Sequence, residues 1–378
     1  MSAADEPNPK TQAAAGTGSP AELRDDEKKD DMYDSEQEMH GDGLLATALR
    51  ILQQAVSKPY WSANRKALDL QKKHQWITWV GLLTGTTAVV MAILQFAAGE
   101  LGWEHAKEFF GIVEVIAAIL AAIYVIRGLI QAVQKHWLLE RHKAERLRLE
   151  KYRAILTLPT MAGDTAKLEQ WAEEVKRKVR TICAIEELDM KRWIGEKPGQ
   201  GFERNAGEKR ESLTKFETVL EYYREKRLEK QLNYFFLRME RSLGRDSATK
   251  FLPPALFLLS IACAITHAFL HGGIAIGQAK FRMGEVEWEH PVSVLLITLA
   301  ALLPVLGAAI RTHRSANEFG RNTVRFRSVY QKLLQVKESL TFQMEAPAKL
   351  ALLVQAEQTL EDEHCEWLRL MEEAEWYG

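Results

Sequence analysis

The sequence predicts an all-α membrane protein: four transmembrane helices as two parallel-repeat hairpins, with long cytoplasmic helices packed as a helical bundle. Three observations predict it. Four stretches nearly free of charge are each long enough to cross a bilayer. The segments between them are rich in Lys, Arg, Glu and Leu and poor in Gly and Pro. The whole order of features then occurs twice along the chain.

A membrane-spanning helix needs about 20 predominantly apolar residues. Gln75 to Gly99 has no charge at all, and places a first span at about 76–98. Phe109 to Val133 carries only Glu114 and Arg127, and gives a second at about 109–133. The third and fourth are expected at about 252–275 and 291–310.

The net charge of −1 over 378 residues hides a strong segregation, because residues 1–42 alone carry −8. That stretch has few apolar side chains to offset chain entropy, so it is expected to be a disordered, acidic, solubilising tail. It lacks the basic flank and short apolar core of a signal peptide. Lys and Arg cluster before the first and third spans and after the second and fourth, whereas the two short connections lean acidic. The positive-inside rule then puts both termini and the central segment in the cytoplasm, in an inner (plasma) membrane.

Leu129 to Leu158, Asp164 to Ile194, Glu208 to Leu243, Arg321 to Ala346 and Ala348 to Tyr377 contain no Gly or Pro, and their composition favours helix. The first of these is expected to continue unbroken from the second span. Thr214 and Glu217 have capping-box spacing. Residues 195–211, Gly-rich and charged, read as a flexible linker between a first unit at 43–194 and a second at 212–378. Residues 43–60 carry apolar side chains at helical spacing, which suits either an in-plane interfacial helix or packing on a cytoplasmic neighbour. Cys183, Cys263 and Cys365 have no disulfide or metal-type spacing and read as small apolar side chains.

The duplication reaches single residues. Arg146-Leu-Arg148 after the second span recurs as Arg325-Phe-Arg327 after the fourth, and Ala166-Lys-Leu168 recurs as Ala348-Lys-Leu350. Both units have the same expected orientation, which differs from the inverted repeats of many secondary transporters.

Two closely spaced spans, the following helix His142-Lys-Ala-Glu-Arg-Leu-Arg-Leu-Glu150, and a final helix ending in acidic, Trp-containing stretches (Glu366 and Trp367, Glu375 and Trp376) resemble the SLATT family of two-helix membrane effectors associated with SMODS and SLOG proteins. The resemblance covers about residues 58–378 in two copies and rests on architecture rather than an invariant motif. It implies a bacterial anti-phage effector that disrupts the membrane when a nucleotide-signalling partner detects infection. The chain departs from the family in carrying two units, and no sensor domain is recognisable in it.

Ionisable residues inside spans are functional candidates, because a lipid-facing charge is costly. Glu114, His267 and His271 are therefore the pore or gating candidates, and Glu114 and His267 are expected at similar depth, where they could pair. An interhelical hydrogen bond that merely holds the bundle together is the plainer reading. The i, i+4 spacing of His267 and His271 also suits a metal pair, but Glu114 is the one further ligand at that depth, so no metal or other cofactor is expected. Arg146, Arg148, Arg325 and Arg327 are candidates for a cytoplasmic interface.

No phosphate loop, nucleophile elbow or zinc-protease motif supports an enzyme. Basic runs such as Lys176-Arg-Lys178 are interspersed with Glu, which argues against nucleic acid. A four-helix bundle is filled by its own side chains, so a pore needs several copies. The expected function is a pore-forming oligomeric effector, with the bilayer, copies of itself and a nucleotide-signalling protein or ligand as partners. A passive scaffold is the alternative, and a membrane metalloenzyme a lesser one.

Overall fold

The computed structural model describes residues 30–40, 43–158, 165–195, 213–272, 289–317, 319–340 and 344–373. Among them there is no strand, and four helices are long and apolar enough to cross a membrane. The 195–211 linker lies outside the described residues apart from Gly195, as do the loop 273–288 and residues 1–29.

The first half opens with a single turn, α1 (Glu36–Met39), then α2 (Leu44–Leu52), which passes through a π-helical turn at Gln53–Ser57 into α3 (Lys58–Glu100). With 43 residues at about 1.5 Å each, α3 is about 64 Å long, roughly twice a hydrocarbon core of about 30 Å. Its first half therefore belongs to a helical head, and its second half is the part long and apolar enough to cross a membrane. At the far end the chain reverses in a Schellman turn: Gly102 adopts φ 70°, its N–H reaches Gly99 O (3.1 Å), and Trp103 N–H reaches Ala98 O (2.9 Å). Helix α4 (Glu104–Gln131) returns along α3, where Gly81 and Gly85 face Tyr124 and Ala121 and allow close approach.

The helix expected to run unbroken from 129 to 158 is interrupted. Ala132 takes a left-handed conformation, φ 43°, between α4 and α5 (Val133–Thr157). Alanine has the highest helix propensity, so local sequence gives no warning. The break redirects the chain so that α5 packs on the head half of α3. Helices α6 (Thr165–Cys183) and α7 (Glu187–Gly195) follow, divided where one helix was expected.

The second half has the same helix order. Helix α8 (Leu213–Tyr223) enters a π-helical turn at Arg224–Glu229 and continues as α9 (Lys230–Lys250). The spans α10 (Leu252–Gly272) and α11 (Glu289–Asn317) are followed by α12 (Phe319–Ser339), which packs on α9 as α5 packs on α3, and by α13 (Ala346–Glu373). Thr214 lies within α8 rather than capping it, and Glu217 pairs with Lys349 at 2.9 Å. The side chain of Thr214, on which the expected capping box depends, lies outside the described residues.

Pro304 sits inside α11. Having no N–H, it leaves the carbonyl of Ala300 without its helical donor. The hydroxyl of Ser260 on α10 donates to that carbonyl at 2.7 Å, which matters where no water is available to do so.

Among the described residues the four helices form a row rather than a closed bundle. Helix α3 packs on α4, α11 packs on α10, and α3 meets α11, giving a row α4–α3–α11–α10 with no extensive packing between its outer members. Neighbours run antiparallel, since Trp79 meets His313 near the head while Phe96 meets Ile297 toward the far end. A groove of about 310 Å³ between α3 and α11 is lined by Val89, Ile93, Phe96, Ile297 and Ala301. The absence of an interior follows from this open row, not from the filled bundle core that the sequence suggested.

The core of the protein lies in the head. Ala48, Leu49, Leu52 and Val56 of the first helices are completely buried against Tyr152, Ile155, Tyr223, Leu333 and Leu353. Between the two readings of residues 43–60, packing on neighbouring helices of the head is the observed one.

Candidate functional site

The densest polar arrangement in the protein lies in a segment expected to be disordered. The expectation for residues 1–42 fails at residues 30–40, which are folded. Asp30 to Asp34 crosses the head as an irregular strap, and Ser35 caps α1 in a capping box with Glu38. Asp31, Met32 and Asp34 are buried. The low apolar content that argued for disorder is compensated by charge partners more than a hundred residues away.

From the first half, Arg148 on α5 reaches Asp30 Oδ2 (3.0 Å) and Asp31 Oδ1 (3.1 Å), and also donates to the hydroxyl of Tyr60. That hydroxyl donates onward to Asp30 Oδ2 at 2.9 Å. One helical turn further on, Lys151 bonds Asp34 Oδ2 (2.8 Å) and the carbonyl of Met32 (3.1 Å) with no exposure to solvent. Tyr152 donates to the carbonyl of Asp31.

From the second half, Arg227 in the π-helical turn holds Asp31 Oδ2 at 2.7 Å and forks onto Glu357 of α13 at 2.9 and 3.2 Å. Its guanidinium lies over the Tyr152 ring, 4.7 Å from the centroid. Tyr222 donates to Asp34, Tyr223 to Glu357 (2.7 Å), Lys230 to the carbonyl of Asp30 (2.9 Å) and Gln231 to Asp31 Oδ2 (2.8 Å). Lys226 pairs with Glu38 at 2.8 Å. A single carboxylate, Asp31, thus bridges a guanidinium from each half.

Burial opposes the charge on Asp31, but Arg148 and Arg227 outweigh it and hold its pKa below the ordinary carboxylate range. Next to it, burial outweighs Arg148 and, with the charge of Asp31, raises Asp30. Burial also drives the hydroxyls of Tyr60, Tyr152, Tyr222 and Tyr223 well above their usual pKa, so all four remain donors.

A second cluster joins α5 to α13 nearer the membrane. The rings of His142 and His364 stack, with Nδ1 of one 3.2 Å from Nε2 of the other. Burial, helped by His364 and Arg146, pushes His142 down to about 2, and burial lowers His364 as well, so both are neutral and one donates to the other. Arg146 lies over Trp193 and pairs with Glu361 at 3.4 Å. Arg325 pairs with Glu363 at 3.4 Å, and burial raises Glu363 to about 7 despite Arg325.

Of the four arginines expected at a cytoplasmic interface, Arg146, Arg148 and Arg325 turn inward to acidic partners within the chain, and Arg327 is exposed. The intramembrane candidates are not brought together as expected. His267 Nδ1 lies 2.8 Å from the Ser293 hydroxyl, linking α10 to α11. Glu114 shares the α4 face of Ala117, Ala121 and Tyr124, is half-buried, and has no hydrogen bond or ion pair among the described residues. His271 falls in the last turn of α10, and its side chain lies outside the described residues. Among the described residues no group of three His, Cys, Asp or Glu is placed to hold a metal ion.

Sequence reasoning missed the strap, Arg227 and Ser260. Pro304 was the available signal for Ser260, since a proline within a span leaves a carbonyl that some neighbour must satisfy. No protein-family model, curated protein or solved structure matches the chain.

Proposed function

We propose that the protein is a multi-pass inner-membrane effector that assembles with copies of itself and makes the membrane permeable. The observation that carries this reading is the open row of spans. Its inner contact joins the first span of one half, α3, to the second span of the other, α11. The two edges offer the same kind of pair again, since α10 is the first span of its half and α4 the second of its own. If α10 of one copy packs on α4 of the next, the antiparallel alternation continues without interruption. A head-to-tail contact of this kind closes into a ring when its rotation allows.

The edges suit that role. Ile112, Ile116, Ile119, Ile123 and Ile126 of α4, and Phe257, Leu258, Ile265 and Phe269 of α10, are each more than half exposed. Glu114 has no partner among the described residues, and a carboxylate at this depth calls for water or a neighbouring donor. A ring of copies provides such a water-lined surface. The matching helix order of the halves and the antiparallel α3–α11 contact support two hairpins of the same orientation, and the distribution of Lys and Arg supports cytoplasmic termini. The resemblance to SLATT effectors supports a role in anti-phage defence, with a nucleotide-signalling protein or ligand as trigger. The Ser293 contact of His267 favours a bundle-holding role for that residue over metalloenzyme chemistry.

The test uses a chain with its native cysteines replaced by alanine and carrying Ile119→Cys and Ile265→Cys. Expression in bacteria should depolarise the membrane, read with a voltage-sensitive dye, and oxidation should give a ladder of cross-linked copies. Glu114→Gln should insert normally and change the leak or its ion selectivity. An unchanged potential with no ladder, the protein being present in the membrane, would leave the passive scaffold as the function.

A further inference from the structure

The strap from Asp30 to Met39 is held in an unusual way for a core segment. Met32 is its one fully buried apolar side chain. Met39 packs partly buried against the core, and the rest of what fixes the strap is charge or hydrogen bonding: four carboxylates and three backbone carbonyls against Arg148, Lys151, Lys226, Arg227, Lys230, Gln231 and the tyrosine hydroxyls. The cleft around it is built equally from the two halves. Without the strap, the guanidiniums of Arg148 and Arg227 would face the seam with Glu145 and Glu357 to balance them. Ion pairs of this kind stabilise weakly relative to apolar packing, and their best-attested use is to specify a register or a switch.

We propose that this cleft is a binding site for an acidic peptide, that residues 30–39 occupy it as a tethered and exchangeable ligand, and that their seating holds the two halves of the head together. The recognised chemistry is a pair of carboxylates with the Asp31 and Asp34 spacing, one bridging Arg148 to Arg227 and one on Lys151 and Tyr222. Helix α5 follows α4 directly at Ala132, and α9 enters α10 at Phe251, so a parting of the halves reaches one span of each hairpin. This last link rests on the proposed permeabilising function. The binding site does not.

The experiment uses the full chain in lipid nanodiscs, with a site-specific protease sequence in place of residues 41 and 42. After cleavage, the N-terminal fragment should remain bound, and a labelled synthetic peptide of residues 25–40 should replace it. A peptide carrying Asp31→Asn and Asp34→Asn should bind at least tenfold more weakly. A fragment that never exchanges under excess peptide, or equal binding of the two peptides, would overturn the proposal. Loss of helical structure when the fragment leaves would also overturn it, since the strap would then be permanent core. An uncut chain with Asp31→Asn and Asp34→Asn gives a second reading: it should stay folded and become more sensitive to proteolysis at residues 30–40. The same protein in dye-loaded vesicles addresses the permeability link. Exchange without a change in leak would retain the site and reject the effector reading.

Discussion

The two ends of α3 lie in opposite surroundings. At its start, Tyr60 is completely buried and bonded to Asp30, whereas near the other end Phe96 is 61% exposed on the side of an open row. In the head, polar groups are the specific part of the structure, and the buried charges of the strap lie against opposite charges from both halves. In the membrane half, apolar side chains point outward and the few polar groups carry the specificity. The head is thus complete within one chain, while the spans present unfilled edges.

Breaking a head contact should therefore have the largest effect. Arg227→Ala leaves Glu357 buried with only the Tyr223 hydroxyl and Asp31 with Arg148 and Gln231, and should cost about 3–5 kcal/mol, read as a lower unfolding midpoint of the head in detergent. In the membrane half the corresponding loss is a single neutral hydrogen bond. Ser260→Ala should cost about 1–3 kcal/mol by leaving the Ala300 carbonyl unsatisfied, measured by resistance of the α10–α11 hairpin to denaturing detergent. Pro304→Ala restores the helical donor, so the double variant should recover most of that loss. No recovery would mean that Ser260 acts through packing alone.

The smallest effect concerns Glu363. Its pKa in the fold, about 7, exceeds the value of 4.5 expected in the unfolded chain, so the folded form holds its proton more tightly. The stability it contributes is complete below about pH 4.5 and declines as pH rises through 7. Glu363→Gln should flatten that part of the stability profile of the head between about pH 5 and 8. A profile identical to the unmodified protein would assign the titration elsewhere.

Much of the membrane half was legible because hydrophobicity and length are local properties. The four spans fall close to the expected positions, and the Gly102 turn follows from one glycine between two apolar helices. The strap was not legible for the opposite reason. Asp30, Asp31 and Asp34 look like a solvated acidic run until Arg148 and Arg227 are brought beside them, and no local window contains both. The same holds for Arg146 and Arg325, read as outward-facing because their acidic partners lie elsewhere in the chain. Ala132 marks a further limit, since helix propensity favours a continuity that packing of α5 on α3 overrides.

The bonds from Arg227 have a bearing on the order in which the protein is made. Asp31 and Arg227 are 196 residues apart, and Glu357 follows Arg227 by another 130. At about 5–20 residues per second, roughly 10–40 s of synthesis separate the strap from its first partner in the second half. The first hairpin can enter the membrane during that interval while Arg148 and Lys151 still lack a finished cleft. Closure of the head thus waits for the last helix, so a truncated chain would carry its spans into the bilayer with the cytoplasmic side unassembled.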